Sequence, residues 1–178
     1  MDGIVYITPS MASISGPTHR LASPRALVDN WAVRAYLDIC ALKRPFDDQT
    51  QPRIRLEADA VLELLGAAPE RVTFVHGAAH DLENAQNSLV WRADRVAAWL
   101  ASALRSEAKA EDLARRTREL ITLGFRNFDA FHVACAELAN PDVFATTDDR
   151  LLAVGSRHAR LLGVRMVDVV TLAREVLV

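Results

Sequence analysis

From residue 33 onward, short apolar runs alternate with longer segments whose apolar residues recur every three to four positions. The runs fall at 34–39, 72–75, 143–145 and 164–167 and predict strands. The periodic segments predict helices over 54–65, 80–87, 90–104, 110–123, 128–138, 149–154 and 168–176. Ile54, Val61, Leu62 and Leu65 share one helical spacing, and Gly66 follows as a stop. Gly124 stands in the same way after 110–123. Phe128, Phe131, Cys135 and Leu138 mark one side of a further helix. Helices between short apolar strands, without tight hairpin signals, predict an α/β fold: three α/β/α layers around a central parallel sheet of Rossmann type.

Residues 1–32 break the pattern. They are rich in Ser, Pro, Thr and Gly and hold no sustained period, so they read as a flexible extension. Val33-Arg34-Ala35-Tyr36 would make a sensible start, which raises a mis-assigned start as the alternative. The folded domain is then 33–178. A chain of 178 residues, 51% apolar, has enough material for one well-buried core.

Charge narrows the function. The net charge of −2 gives no global basic field for nucleic acid or membrane. The cations are nearly all arginine, 19 against Lys43 and Lys109. Arginine's planar fork suits phosphate, although GC-rich coding explains the bias more plainly. Cys40 and Cys135 are too few for a disulfide scaffold, so the expected location is a reducing cytoplasm. No apolar run reaches the roughly 20 residues of a membrane span, and no secretory leader pattern opens the chain.

In an open parallel sheet, function gathers at the carboxyl ends of the strands. Asp38 ends the first run, between Leu37 and Ile39. Glu83 lies in HDLENAQN, after the second run. Asp129 opens FDAFHVACAEL, and Asp148 and Asp149 follow 143–145 and two threonines. Plainer roles exist for most of them. Asp129 suits a first helical turn, Asp148 or Asp149 a helix cap, and Glu83 a solvated helix face. Capping does not explain Asp38. Carboxylates gathered together repel one another unless a divalent cation sits between them, and hard oxygens select Mg²⁺ or Mn²⁺. No zinc-type spacing competes: His76, His80 and His132 are scattered, and there is no CxxC. No GxGxxG or GxxxxGK follows a strand. A phosphatase with a nucleophilic Asp wants a second acid two residues on, where this chain has Cys40.

The stretches YLDICALKRPFDD, HDLENAQN, FDAFHVACAEL and VFATTDDRLL resemble the PIN-domain family, which includes the VapC toxins of bacterial toxin–antitoxin pairs. The resemblance spans about Val33 to the C-terminus. It implies an Mg²⁺- or Mn²⁺-dependent endoribonuclease, with RNA as substrate, a small antitoxin as partner and a homodimer, for which the apolar stretch of the helices over 90–123 could serve as the contact. It also implies that Asp38, Glu83, Asp129 and Asp148 are the four acids, with Thr146 accompanying the fourth and Asp149 its rival. The metal would lie on Asp38, Asp129 and Asp148, with Glu83 bound directly or through water. Lys43, Arg44 and Arg53 are expected to touch the RNA backbone, against a plainer role as solvated loop cations. His132 is expected to pack or hydrogen-bond rather than act as a base. One departure stands out. The second strand runs into His76-Gly77 where relatives often have Ser-Ser. A PIN-like module that binds RNA or protein without turnover is the alternative.

Overall fold

The computed structural model describes residues 32–178, so the expectations for the N-terminal extension lie outside the described residues, apart from Ala32. In chain order the elements are β1 (Val33–Leu37), α1 (Ile39–Lys43), α2 (Pro52–Gly66), β2 (Val72–His76), α3 (Ala78–Asn84), α4 (Val90–Ala101), β3 (Leu104–Arg105) and α5 (Ala110–Thr122). Then follow α6 (Asn127–Ala139), β4 (Val143–Thr146), α7 (Asp149–Arg157), β5 (Arg165–Asp168) and α8 (Val169–Leu177). Short 3₁₀ turns occupy Arg44–Phe46 and Ala159–Leu161.

The five strands form one parallel sheet in the order β3-β2-β1-β4-β5. Its central strands are apolar at successive positions because both faces are covered. Ala35, Leu37, Val143 and Ala145 meet Val61 and Leu64 of α2 and Val169 and Leu172 of α8. On the other face Tyr36, Val75 and Phe144 meet Leu113 and Leu120 of α5, Val133 of α6 and Leu151 of α7. Each fully buried Val, Leu or Phe among them contributes about 1.5–3 kcal/mol. Tyr36 and Phe144 are paired in register and stack at 5.3 Å. The three-layer expectation is met.

The strand order fixes where a site belongs. From β1 the chain moves outward through β2 to β3, then returns to β4 on the opposite side of β1. The helices that follow β1 and β4 therefore pack on opposite faces and leave a crevice between the two carboxyl ends, the usual ligand position in such sheets.

The boundaries differ from expectation in informative ways. The first strand ends at Leu37, and Ile39 already opens α1, so Asp38 lies between strand and helix. The helix expected over 90–104 stops at Ala101, where Ser102 Oγ donates to the Trp99 carbonyl. Leu104 then joins β3, paired with Val75, and the sheet gains a strand. Gly66 is the last residue of α2 rather than its stop, and Pro52 begins that helix two residues early, a position that suits its fixed φ. Gly124 does end α5. Its φ of +95° belongs to the left-handed region, its N–H bonds Ile121 O, and Phe125 N–H reaches Leu120 O, the two bonds of a Schellman stop.

Candidate functional site

Asp38 directly follows β1, and its backbone N–H continues the ladder to Ala145 O at 2.8 Å. It occupies the N-cap position of α1 but makes no side-chain cap bond. Its carboxylate, though 6% exposed as a residue, is turned to the neighbouring strand instead. Thr146 Oγ1 donates to Asp38 Oδ2 at 2.7 Å, and Cys40 Sγ donates to the same oxygen at 2.9 Å. Thr146 Oγ1 in turn accepts the backbone N–H of Asp148 at 3.1 Å. Thr147 Oγ1 donates to Cys40 Sγ at 3.3 Å. One hydroxyl thus links the acid after β1 to the acid after β4.

Asp148 is also the N-cap of α7: its Oδ1 accepts from Arg150 N and Leu151 N at 2.8 and 3.0 Å. The capping role weighed from sequence is real, and it uses only that oxygen. Asp149 turns elsewhere, into a two-bond pair with Arg53 at 2.6 Å for each bond. Asp129 lies in the first turn of α6 and accepts from Arg150 at 3.0 Å through Oδ2. Burial raises its carboxyl above the ordinary Asp value, and the charges of Asp38 and Asp148 raise it further, against Arg150 and Arg126. Asp38, Asp129 and Asp148 therefore share one electrostatic neighbourhood, and it is Asp148, rather than Asp149, that belongs to it.

Glu83 joins from α3 as an anchored residue, not as a solvated one. Its Oε2 lies 3.1 Å from His132 Nε2, and its Oε1 accepts from Lys43 Nζ at 3.1 Å. Burial raises the Glu83 carboxyl, but the bonds to His132 and Lys43 outweigh it and hold the group below its usual range. His132 is buried, and its Nδ1 lies 2.9 Å from Tyr36 Oη and 3.9 Å from Asp38 Oδ1. A carboxylate can only accept, so His132 Nε2 carries a proton toward Glu83, and in the neutral ring Nδ1 then accepts from the Tyr36 hydroxyl. Burial holds that phenol far up its scale, so it remains a donor.

The histidines scattered in sequence come together. His80 stacks edge-on to His132 at 5.0 Å and to His76 at 6.2 Å. His80 Nε2 meets Leu37 O at 2.7 Å, and burial, then His132, push its basicity well down. This neutral ring supports the last residue of β1 immediately before Asp38.

The three cations expected on RNA are bonded within the chain. Lys43 holds Glu83, while Arg44 pairs with Glu57 at 2.8 Å and Asp47 at 3.1 Å. Arg53 lies in α2 rather than a loop and bridges Glu57 and Asp149. Four contributors were missed from sequence: Cys40, Thr147, Arg150 and the Tyr36–His132 bond. The DDR and TTDD runs carried the only available signal, which places Arg150 one helical step past two acids.

The donor chemistry suits a hard divalent ion. Asp38, Asp129 and Asp148 each engage protein hydrogen-bond donors through one oxygen, and the second oxygen of each accepts no hydrogen bond among the described residues. Among the described residues no group of three or more His, Cys, Asp or Glu closes into a metal-holding cluster. No helix among them is long and apolar enough to cross a membrane. Compared with protein-family models, curated proteins and solved structures, the chain matches none.

Proposed function

We propose that this chain is an Mg²⁺- or Mn²⁺-dependent endoribonuclease of the PIN type, acting as the toxin of a toxin–antitoxin pair. The observation that carries the reading is that three acids remote in sequence meet beside β1 and β4: Thr146 Oγ1 bonds both the Asp38 carboxylate and the Asp148 N–H, and Arg150 bonds both Asp148 and Asp129. Carboxylates gathered in this way repel one another, and a cation between them relieves the repulsion. Asp38, Asp129 and Asp148 would hold it, with Glu83 acting through water. Mg²⁺ commonly keeps several waters and needs only one or two direct carboxylates, so a closed cage is not required. The bound metal supplies Lewis acidity, lowering the pKa of water and offsetting phosphate charge.

The chain's own residues do the rest. Thr146 and Cys40 hold one oxygen of Asp38, and His132 and Lys43 hold Glu83. Arg150, 39% exposed, stands beside Asp129 and is suited to meet a phosphate oxygen. Water as nucleophile leaves a 5′-phosphate and a 3′-hydroxyl. Cleavage of end-labelled RNA with Mn²⁺ and with EDTA tests the reading, with Asp38→Asn and Asp129→Asn as inactive controls that still fold. Full activity in either variant overturns it.

A second reading, a PIN-like module that binds RNA or protein without turnover, draws on the cation partners that Glu83 and Asp129 already have. RNA retention without cleavage in Mn²⁺ would favour it.

A further inference from the structure

The chain Thr147–Cys40–Asp38–Thr146 is more elaborate than one buried carboxylate requires. Thr146 alone gives Asp38 Oδ2 a hydroxyl donor at 2.7 Å. Cys40 adds a second donor to the same oxygen, and Thr147 donates to the sulfur from behind. Cys40 Sγ also lies 3.1 Å from Thr146 Oγ1, so the thiol closes a ring with the hydroxyl it assists. Two donors fix the carboxylate's rotation where one would let it swing. With Oδ2 held against β4, Oδ1 is turned toward α6, 3.9 Å from His132 Nδ1. Cys40 is the second residue of α1, a helix of only five residues whose N-terminus leaves the Asp38 side chain uncapped. The Thr146 hydroxyl and the Cys40 thiol, not the helix, therefore set that side chain's direction.

We infer that Cys40 is a positioning residue: its S–H, steadied by Thr147, donates to Asp38 Oδ2 and, with Thr146, leaves Oδ1 as the oxygen that would meet a divalent ion. The functional part of this inference rests on the ribonuclease reading, whereas the contact itself does not. An outer partner of a metal-bound carboxylate typically controls affinity or rate by about 10- to 100-fold.

Two measurements test it. The first is the S–H stretching band in the infrared, with Cys135→Ala leaving Cys40 as the sole thiol. The Cys40 band moves to higher frequency in Asp38→Asn and moves again in Thr147→Val, but not in Asp129→Asn. A Cys40 band indifferent to both Asp38→Asn and Thr147→Val overturns the inference. The second is kinetic. Cys40→Ala lowers kcat roughly 10-fold and raises the Mn²⁺ concentration for half-maximal rate, with KM for RNA unchanged, while Cys40→Ser recovers most of the loss. Wild-type kcat and Mn²⁺ dependence in Cys40→Ala overturn it, as does a Cys40→Ser variant that folds yet is no better than Cys40→Ala. If wild-type protein cleaves no RNA, the ribonuclease reading falls, and the infrared bands still judge the contact.

Discussion

Arg150 of α7 donates to Asp129 of α6 at 3.0 Å, and the same residue's backbone N–H is capped by Asp148. One residue thus touches two of the three acids that repel one another. It serves as the internal counter-ion of the site, and a divalent cation would compete with it. The pair is partly exposed, so its loss costs only about 0.2–1 kcal/mol in apo protein. Arg150→Ala is expected to enlarge the rise in melting temperature that Mn²⁺ produces, measured by thermal shift across a Mn²⁺ titration. A smaller rise than wild type would contradict the competition.

Asp129 makes a prediction about pH. Its folded pKa lies above its unfolded value, because burial and two neighbouring charges penalise the ionised form. The folded state then holds its proton more tightly than the unfolded chain. The corresponding stability is fully present below the ordinary Asp value of about 3.9 and is lost as pH rises through the folded value. Asp129→Asn therefore raises the melting temperature of metal-free protein at neutral pH and leaves it unchanged in acid. Added Mg²⁺ narrows the neutral gap by stabilising wild type alone.

The two acids at the start of α7 are expected to separate cleanly. Asp148→Asn lowers the cleavage rate roughly 100-fold or more, as expected for a carboxylate that would hold the divalent ion supplying the site's Lewis acidity. Asp149→Asn leaves it within about threefold, since it breaks only an exposed pair with Arg53. Rates on one labelled RNA, side by side, decide between them.

Tyr36 and His132 form a buried bond that neither can replace alone. Tyr36→Phe leaves His132 Nδ1 without a donor and costs about 1–3 kcal/mol. In the His132→Leu background the same change costs less, because the stranded partner is already gone. Urea unfolding of the four proteins measures the coupling. Additive losses would show that the bond carries no energy.

Much of the fold was legible because the central strands are short, largely apolar and separated by periodic helices. Asp38, Asp129 and Asp148 were legible because each follows a strand or opens a helix, whereas Glu83 lies near the end of α3 and carries no such mark. A strand of two residues, Leu104–Arg105, has no alternation to read, so the helix before it was extended through it. The short α1 was hidden because ICALK is equally apolar as strand or helix. Cys40 was missed because nothing local says which oxygen, 106 residues away on Thr146, its sulfur will approach.

Thr146 has a consequence for how such a site is inherited. The register that sets Leu37 opposite Ala145 also brings Thr146 beside Asp38. Sliding β4 by one residue would carry the hydroxyl to the far side of the pleat and expose Val143 and Ala145 to the wrong layer. Chemistry and strand alignment are thus written by the same four residues, and a lineage could not drift in one without forfeiting the other.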